Sequence, residues 1–167
     1  MDVANEDGGN ATNKNIEHLC IACPPMMRSD TIADLCRTRA GAYGKTIIFT
    51  DTKAEADELA QSPALVNMGA MGLHGDIPQT TREKIMESYR SGHVRVLVAT
   101  DVAARGLDVP NVDLVIMTHP PMAPDTYVHR AGRTARGGKS GTVVVFYSFV
   151  ESYALSQIKW PKSLRSA

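Results

Sequence analysis

The chain has 167 residues, 43% of them hydrophobic, which is the size of one ordinary domain with enough apolar material for a sizeable core. No apolar run approaches the about 20 residues of a membrane-spanning helix, and the N-terminus lacks the basic-then-apolar plan of a secretory signal, so a soluble, intracellular protein with no membrane partner is expected. Eighteen basic residues balance eighteen acidic ones, so any nucleic-acid contact has to come from a local patch.

Residues 1–14, rich in Asn, Gly, Asp and Ala without periodicity, read as a disordered leader or linker. One domain is expected over 15–160, with a tail over 161–167. A first strand at 17–22 carries Cys20 of a lone C-x-x-C, and alternation along the strand points Cys20 and Cys23 to opposite faces. With an odd total of three cysteines, neither a disulfide framework nor a metal site is expected.

A helix at about 29–40 leads to Gly41-Ala-Tyr-Gly44-Lys45-Thr46, which ends like a phosphate loop. Arg39 stands where that loop needs its first glycine, and Lys45 precedes a strand, so phosphate binding is not expected there. A strand at 46–50 and a helix at 53–61 follow, the helix opened by a capping box of Thr52 and Glu55. A weaker strand at 70–73 precedes His74 and Asp76, which flank a turn glycine and read as structural. The next helix, at 81–90, has a second capping-box signature, Thr80 with Glu83. Strands at 94–100, 113–118 and 142–148 and helices at 124–131 and 150–158 complete the pattern.

Strict alternation of strand and helix predicts an α/β fold, a three-layer αβα domain with a mainly parallel central sheet. In such sheets ligands bind outside the carboxyl ends of the strands, which singles out residues 51–53, 74–82, 101–108 and 119–136. The last of these holds an acid-free basic run, His129, Arg130, Arg133, Arg136 and Lys139.

The segment VRVLVATDVAARGLDVP, residues 94–110, resembles motif V of the DEAD-box helicases, and HRAGRTAR, residues 129–136, resembles their motif VI. IIFTDTK, residues 47–53, is similar to motif IV, and LHGDIPQTTR, residues 73–82, to the segment bearing their Gln-x-x-Arg signature. RecQ-type DNA helicases and DEAH-box proteins share the architecture but not this wording. The run LHGDIPQ, the paired prolines after His119 and the ending TVVVFYS resemble the nucleolar Gu group, which implies a nuclear or nucleolar location.

The resemblance implies the second RecA-like motor domain of an ATP-dependent RNA helicase, an ATP hydrolase that unwinds short duplexes. Arg133 and Arg136 carry the chemistry expected of arginine fingers, because a guanidinium stays protonated and offers a fork of donors to developing phosphate charge. Asp108, after the turn that Gly106 permits, has a carboxylate that can accept hydrogen bonds from ribose hydroxyls. Thr100 and Arg82 can grip phosphate oxygens without reading bases, and the resemblance adds Thr52 and Gln79 as RNA contacts.

Asp101, Arg105, His129 and Arg130 are implied to couple the two motor domains, with a buried structural role as the alternative for His129. The phosphate cradle, the Mg2+ carboxylates and the adenine pocket belong to a first RecA-like domain that this chain lacks. The implied ligands are ATP with Mg2+ and RNA held by its backbone, with no activity from this domain alone. A non-catalytic module binding RNA or protein is the alternative.

Overall fold

The computed structural model describes residues 15–157. Its centre is a six-stranded sheet in which every pairing is parallel. In chain order the strands are β1 (Ile16–Ala22), β2 (Thr46–Thr50), β3 (Met71–Leu73), β4 (Val96–Thr100), β5 (Leu114–Met117) and β6 (Gly141–Tyr147). In space they run β1-β6-β5-β2-β4-β3, so the chain crosses from β4 to β5 over β2. The helices are α1 (Arg28–Leu35), α2 (Lys53–Ala60), α3 (Pro63–Val66), α4 (Gln79–Ser91), α5 (Asp101–Ala104), α6 (Pro124–Ala131) and α7 (Ser152–Gln157). Both the leader and the tail read from the sequence lie outside the described residues.

Every residue of β2, β4 and β5 is buried, and side chains alternate between the two faces. Ile47, Phe49, Leu97, Ala99, Val115 and Met117 pack with Ile85, Met86 and Tyr89 of α4 and with Tyr127 and Ala131 of α6. Ile48, Val96, Val98, Leu114 and Ile116 pack with Ile32 and Leu35 of α1, Ala56 and Leu59 of α2, and Leu65 of α3. Helices therefore cover both faces, which is why these strands are continuous apolar runs and not half-polar alternations. The largest buried polar side chain, Tyr89, donates its hydroxyl proton to the Thr46 carbonyl at 2.9 Å. No helix among the described residues is long and apolar enough to cross a membrane.

Three expectations change. The helix at 29–40 is α-helical only to Leu35; Cys36–Ala40 winds more widely, and the Gly41 N–H donates to the Cys36 carbonyl at 3.0 Å. The second capping box does not form, because α4 starts behind Pro78, which has no N–H to satisfy, and Gln79 donates to Glu83 at 3.1 Å. The first box does form: Thr52 Oγ1 accepts from the Glu55 N–H at 3.1 Å, but the Glu55 carboxylate returns to the Asp51 N–H at 3.3 Å. Of the two thiols expected on opposite faces, Cys20 is exposed and Cys23 buried.

Candidate functional site

Parallel pairing puts the carboxyl ends of β5, β2 and β4 side by side, with Thr50 opposite Thr100. The loops leaving these strands carry most of the expected site. After β4 the chain makes the single turn α5, leaves it in extended conformation at Arg105, and reverses at Gly106, where φ is 72°. That left-handed turn, open to glycine without strain, presents an exposed Asp108. After β5 the helix α6 ends at Ala131, with His129 and Arg130 in its last turn. Arg133 and Arg136 follow in an irregular segment that contains Ala135 at φ 57° and ψ 33°, a left-handed conformation rare for a residue with a side chain.

Arg130 is 3% exposed, and its charge is met from two strands. Nε and Nη2 donate to the two carboxylate oxygens of Asp101 at 2.9 and 2.7 Å, a bidentate pair. Asp51, just past β2, brings Oδ1 to 3.5 Å from Nη2, and the guanidinium lies 5.3 Å from the centre of the Phe49 ring. Nη1 is buried without a hydrogen-bond partner among the described residues.

Arg133 lies beside this pair and lines an open pocket with Phe49, Asp101, Arg105, Thr126, His129 and Arg130. Its guanidinium makes no hydrogen bond or ion pair with a described residue. Burial, and then the like charge of Arg136, pull its pKa below the usual arginine range. Arg136 is outside that pocket: Nε donates to the Gly132 carbonyl at 3.0 Å and Nη1 to the Val109 carbonyl at 2.9 Å. Its backbone N–H donates to Asn111 Oδ1 at 2.9 Å. His129 is exposed, which removes the buried structural role weighed for it.

The four expected RNA contacts are distributed and not clustered. Gln79 and Arg82 sit one turn apart on α4, where Arg82 Nη2 donates to Gln79 Oε1 at 2.5 Å. Thr52 is exposed at the N-terminus of α2, on the other face of the sheet. Thr100 is the N-cap residue of α5, 9% exposed, with no side-chain capping bond. Together they mark the carboxyl edge, not a single pocket.

Sequence reasoning placed Asp51 and His119 in the segments that follow strands but gave neither a role, and it missed Phe49 and a second ionic cluster at the same edge. His119, just beyond β5, bonds through Nδ1 to Glu151 at 2.7 Å and through Nε2 to Glu55 at 3.0 Å. Arg28 stands 3.8 Å from both carboxylates. The bond to Glu55, opposed by burial and helped by Glu151, raises the His119 pKa to about 9. Burial works against ionisation of Glu55, but hydrogen bonds from His119, Thr118 and the Asp51 N–H, with the charge of His119, together outweigh it and hold that carboxyl below its usual range. Asp51 directly follows β2 and His119 lies two residues past β5, which was the one available signal.

Comparison with known proteins fits this geometry to a family. The helicase conserved C-terminal domain matches residues 28–138, more than half of the chain. Nucleolar RNA helicase 2 of Rattus norvegicus is 46% identical over 144 residues, covering 86% of the chain and 18% of that protein. The chain belongs to the DEAD-box helicase C-terminal domains. This DEAD-box domain thus spans about a fifth of the length of that curated relative. It is similar to the E. coli DEAD-box protein SrmB, solved bound to regulator of ribonuclease activity A, at TM-score 0.75 and 31% identity over 85% of this chain and 82% of that one. It is equally similar in extent to the C-terminal domain of the DEAD-box protein Dbp5, at TM-score 0.71 and 32% identity over 85% and 82% of the two chains. RecA-like architecture is common to all three.

Proposed function

We propose that the chain is the second motor domain of an ATP-dependent RNA helicase, and that it contributes arginine fingers, a ribose contact and RNA-backbone contacts to RNA-stimulated ATP hydrolysis and local unwinding. The observation that carries this reading is Arg133: a guanidinium without a hydrogen-bond or ionic partner among the described residues, facing an open pocket beside a rigid Arg130–Asp101 pair. Arg133 is only partly buried, so its unpaired charge stays accessible from the pocket and a ligand that supplies negative charge there would be met by a guanidinium with no competing partner.

ATP fits the residues present. Arg133 is free to meet a phosphate oxygen, Arg136 keeps Nη2 for one while its other nitrogens hold the backbone, and the exposed Asp108 carboxylate can accept ribose hydroxyls. Phosphoryl transfer accumulates negative charge that such residues stabilise by about 10³ to 10⁵ in rate, or about 4 to 7 kcal/mol. Mg2+ and the adenine are assigned to a first RecA-like domain, as the resemblance to the family implies. Asp101, Arg105, His129 and Arg130 would face that domain when the cleft closes. Thr52, Thr100, Gln79 and Arg82 would grip RNA phosphates with little sequence preference. The name of the rat relative supports a nucleolar location.

The test is ATP turnover with and without RNA, for this domain alone and for the intact helicase that pairs it with a first domain. Silence alone, RNA-stimulated turnover in the pair and a loss of about 100-fold or more in Arg133→Ala, with folding intact by circular dichroism, are expected. Absence of turnover in both forms would replace the reading with a non-catalytic binding module. Near-normal turnover of the variant would remove Arg133 from the chemistry.

A further inference from the structure

We infer that Asp51 is a positioning residue that transmits RNA occupancy at the N-terminus of α2 to Arg133; this rests on the functional reading above. Asp51 is the residue between β2 and the Thr52 cap, and it is attached in both directions. Its carboxylate is 3.5 Å from Arg130 Nη2, and its own backbone N–H donates to the Glu55 carboxylate inside the first turn of α2 at 3.3 Å. Arg130 in turn is locked to Asp101 by two short bonds and lies one turn before Arg133, whose N–H donates to the Arg130 carbonyl at 3.2 Å.

Charge decides the direction of the effect. The side chain of Asp51 is 47% exposed, directly beside the exposed Thr52 hydroxyl, so a phosphate held there meets a carboxylate of like sign. Repulsion falls if that carboxylate moves toward Arg130, which already has a buried nitrogen, Nη1, without a partner. RNA at Thr52 therefore favours the Asp51–Arg130 contact, and the contact steadies the segment that carries Arg133. Coupling of this kind is reciprocal: whatever fixes Arg133 from the nucleotide side favours phosphate at Thr52. Phe49 and Asp101 fix Arg130 from the sheet side and do not touch the α2 terminus, which leaves Asp51 as the link.

The experiment uses the intact helicase with Asp51→Asn and Asp51→Glu, measuring RNA affinity without nucleotide, the ratio of RNA-stimulated to RNA-free turnover, and thermal melting. For Asp51→Asn, RNA affinity should hold or rise, because one repelling charge is gone, while the stimulation ratio falls about tenfold. Asp51→Glu should restore most of the ratio, and neither variant should move the melting temperature, as the side chain is half exposed. An unchanged ratio in Asp51→Asn, or a ratio that falls only in proportion to RNA affinity, overturns the inference. If the unsubstituted helicase is itself not stimulated by RNA, the functional reading fails and the inference fails with it; a stimulated parent with an unaltered Asp51→Asn isolates the failure to Asp51.

Discussion

Two arginines at the carboxyl edge of the sheet are each flanked by two carboxylates, and they are held in opposite ways. Arg130 faces Asp101 at 2.7 and 2.9 Å and Asp51 at 3.5 Å, one cation against two anions. Arg28 is 3.8 Å from both Glu55 and Glu151, and His119 takes the short bonds to both, so two cations balance two anions. The Arg130 site is rigid through geometry and carries one surplus negative charge next to the pocket where Arg133 and Arg105 lie. Its counterpart is neutral as a whole, owes its tightness to a titratable ring, and ties α1, α2 and the start of α7 to the end of β5. Oriented charge borders the open pocket, and compensated charge holds elements together.

The largest effect should come from breaking the short bidentate pair of the rigid site. Asp101→Ala leaves Arg130 buried with only the longer contact to Asp51, and stability measured by urea unfolding should fall by roughly 2 kcal/mol. That is the low end for a buried pair, because the Asp101 side chain is 34% exposed. The corresponding removal at the balanced cluster should cost less, since three charged partners remain.

A smaller change is expected from Ala135, the only residue other than glycine with positive φ among the described residues. Ala135→Gly should raise stability by roughly 0.5 to 1 kcal/mol, as glycine adopts this conformation without strain but gives up some unfolded-state entropy. Unfolding midpoints of the two proteins decide it, and a drop in stability would show that the Ala135 methyl, 4% exposed, contributes more by packing than it costs in strain.

The smallest effect is one of slope. The folded His119 pKa, about 9, stands above the ordinary 6.5, so the stability it supplies is fully present below pH 6.5 and is lost as pH rises through 9. Melting temperatures of His119→Gln and the parent should therefore differ most below neutrality and converge toward pH 9. His18, whose pKa burial lowers to about 4, acts in the other direction: its contribution is present above pH 6.5 and is lost as pH falls through 4, equally in both proteins, so it cancels from their difference. Curves that stay parallel from pH 6 to 10 would mean that His119 is not the titrating member.

The fold was legible because its strands are buried on both faces, and continuous runs such as Val96–Thr100 and Leu114–Met117 read as strands without any structure. One-turn helices were not: Pro63–Val66 and Asp101–Ala104 contain four residues each, too few for a helical period. The residues of the site were legible as motifs, and the positions of Arg130, Arg133 and Asp108 at the carboxyl edge follow from strand order. The partners were not. Arg28, Glu55, His119 and Glu151 come from four separate elements, and only the crossover over β2 brings β5 next to the start of α2. Side-chain pairing across a sheet edge is set by packing, and a linear pattern does not carry it.

Ala135 has a further consequence. Between Arg133 and Arg136 the main chain turns with the opposite hand, so the two side chains leave the backbone in directions that a continued right-handed helix would not give them. The directions in which the two arginines leave the chain are thus written into one buried methyl-bearing residue that lies between them.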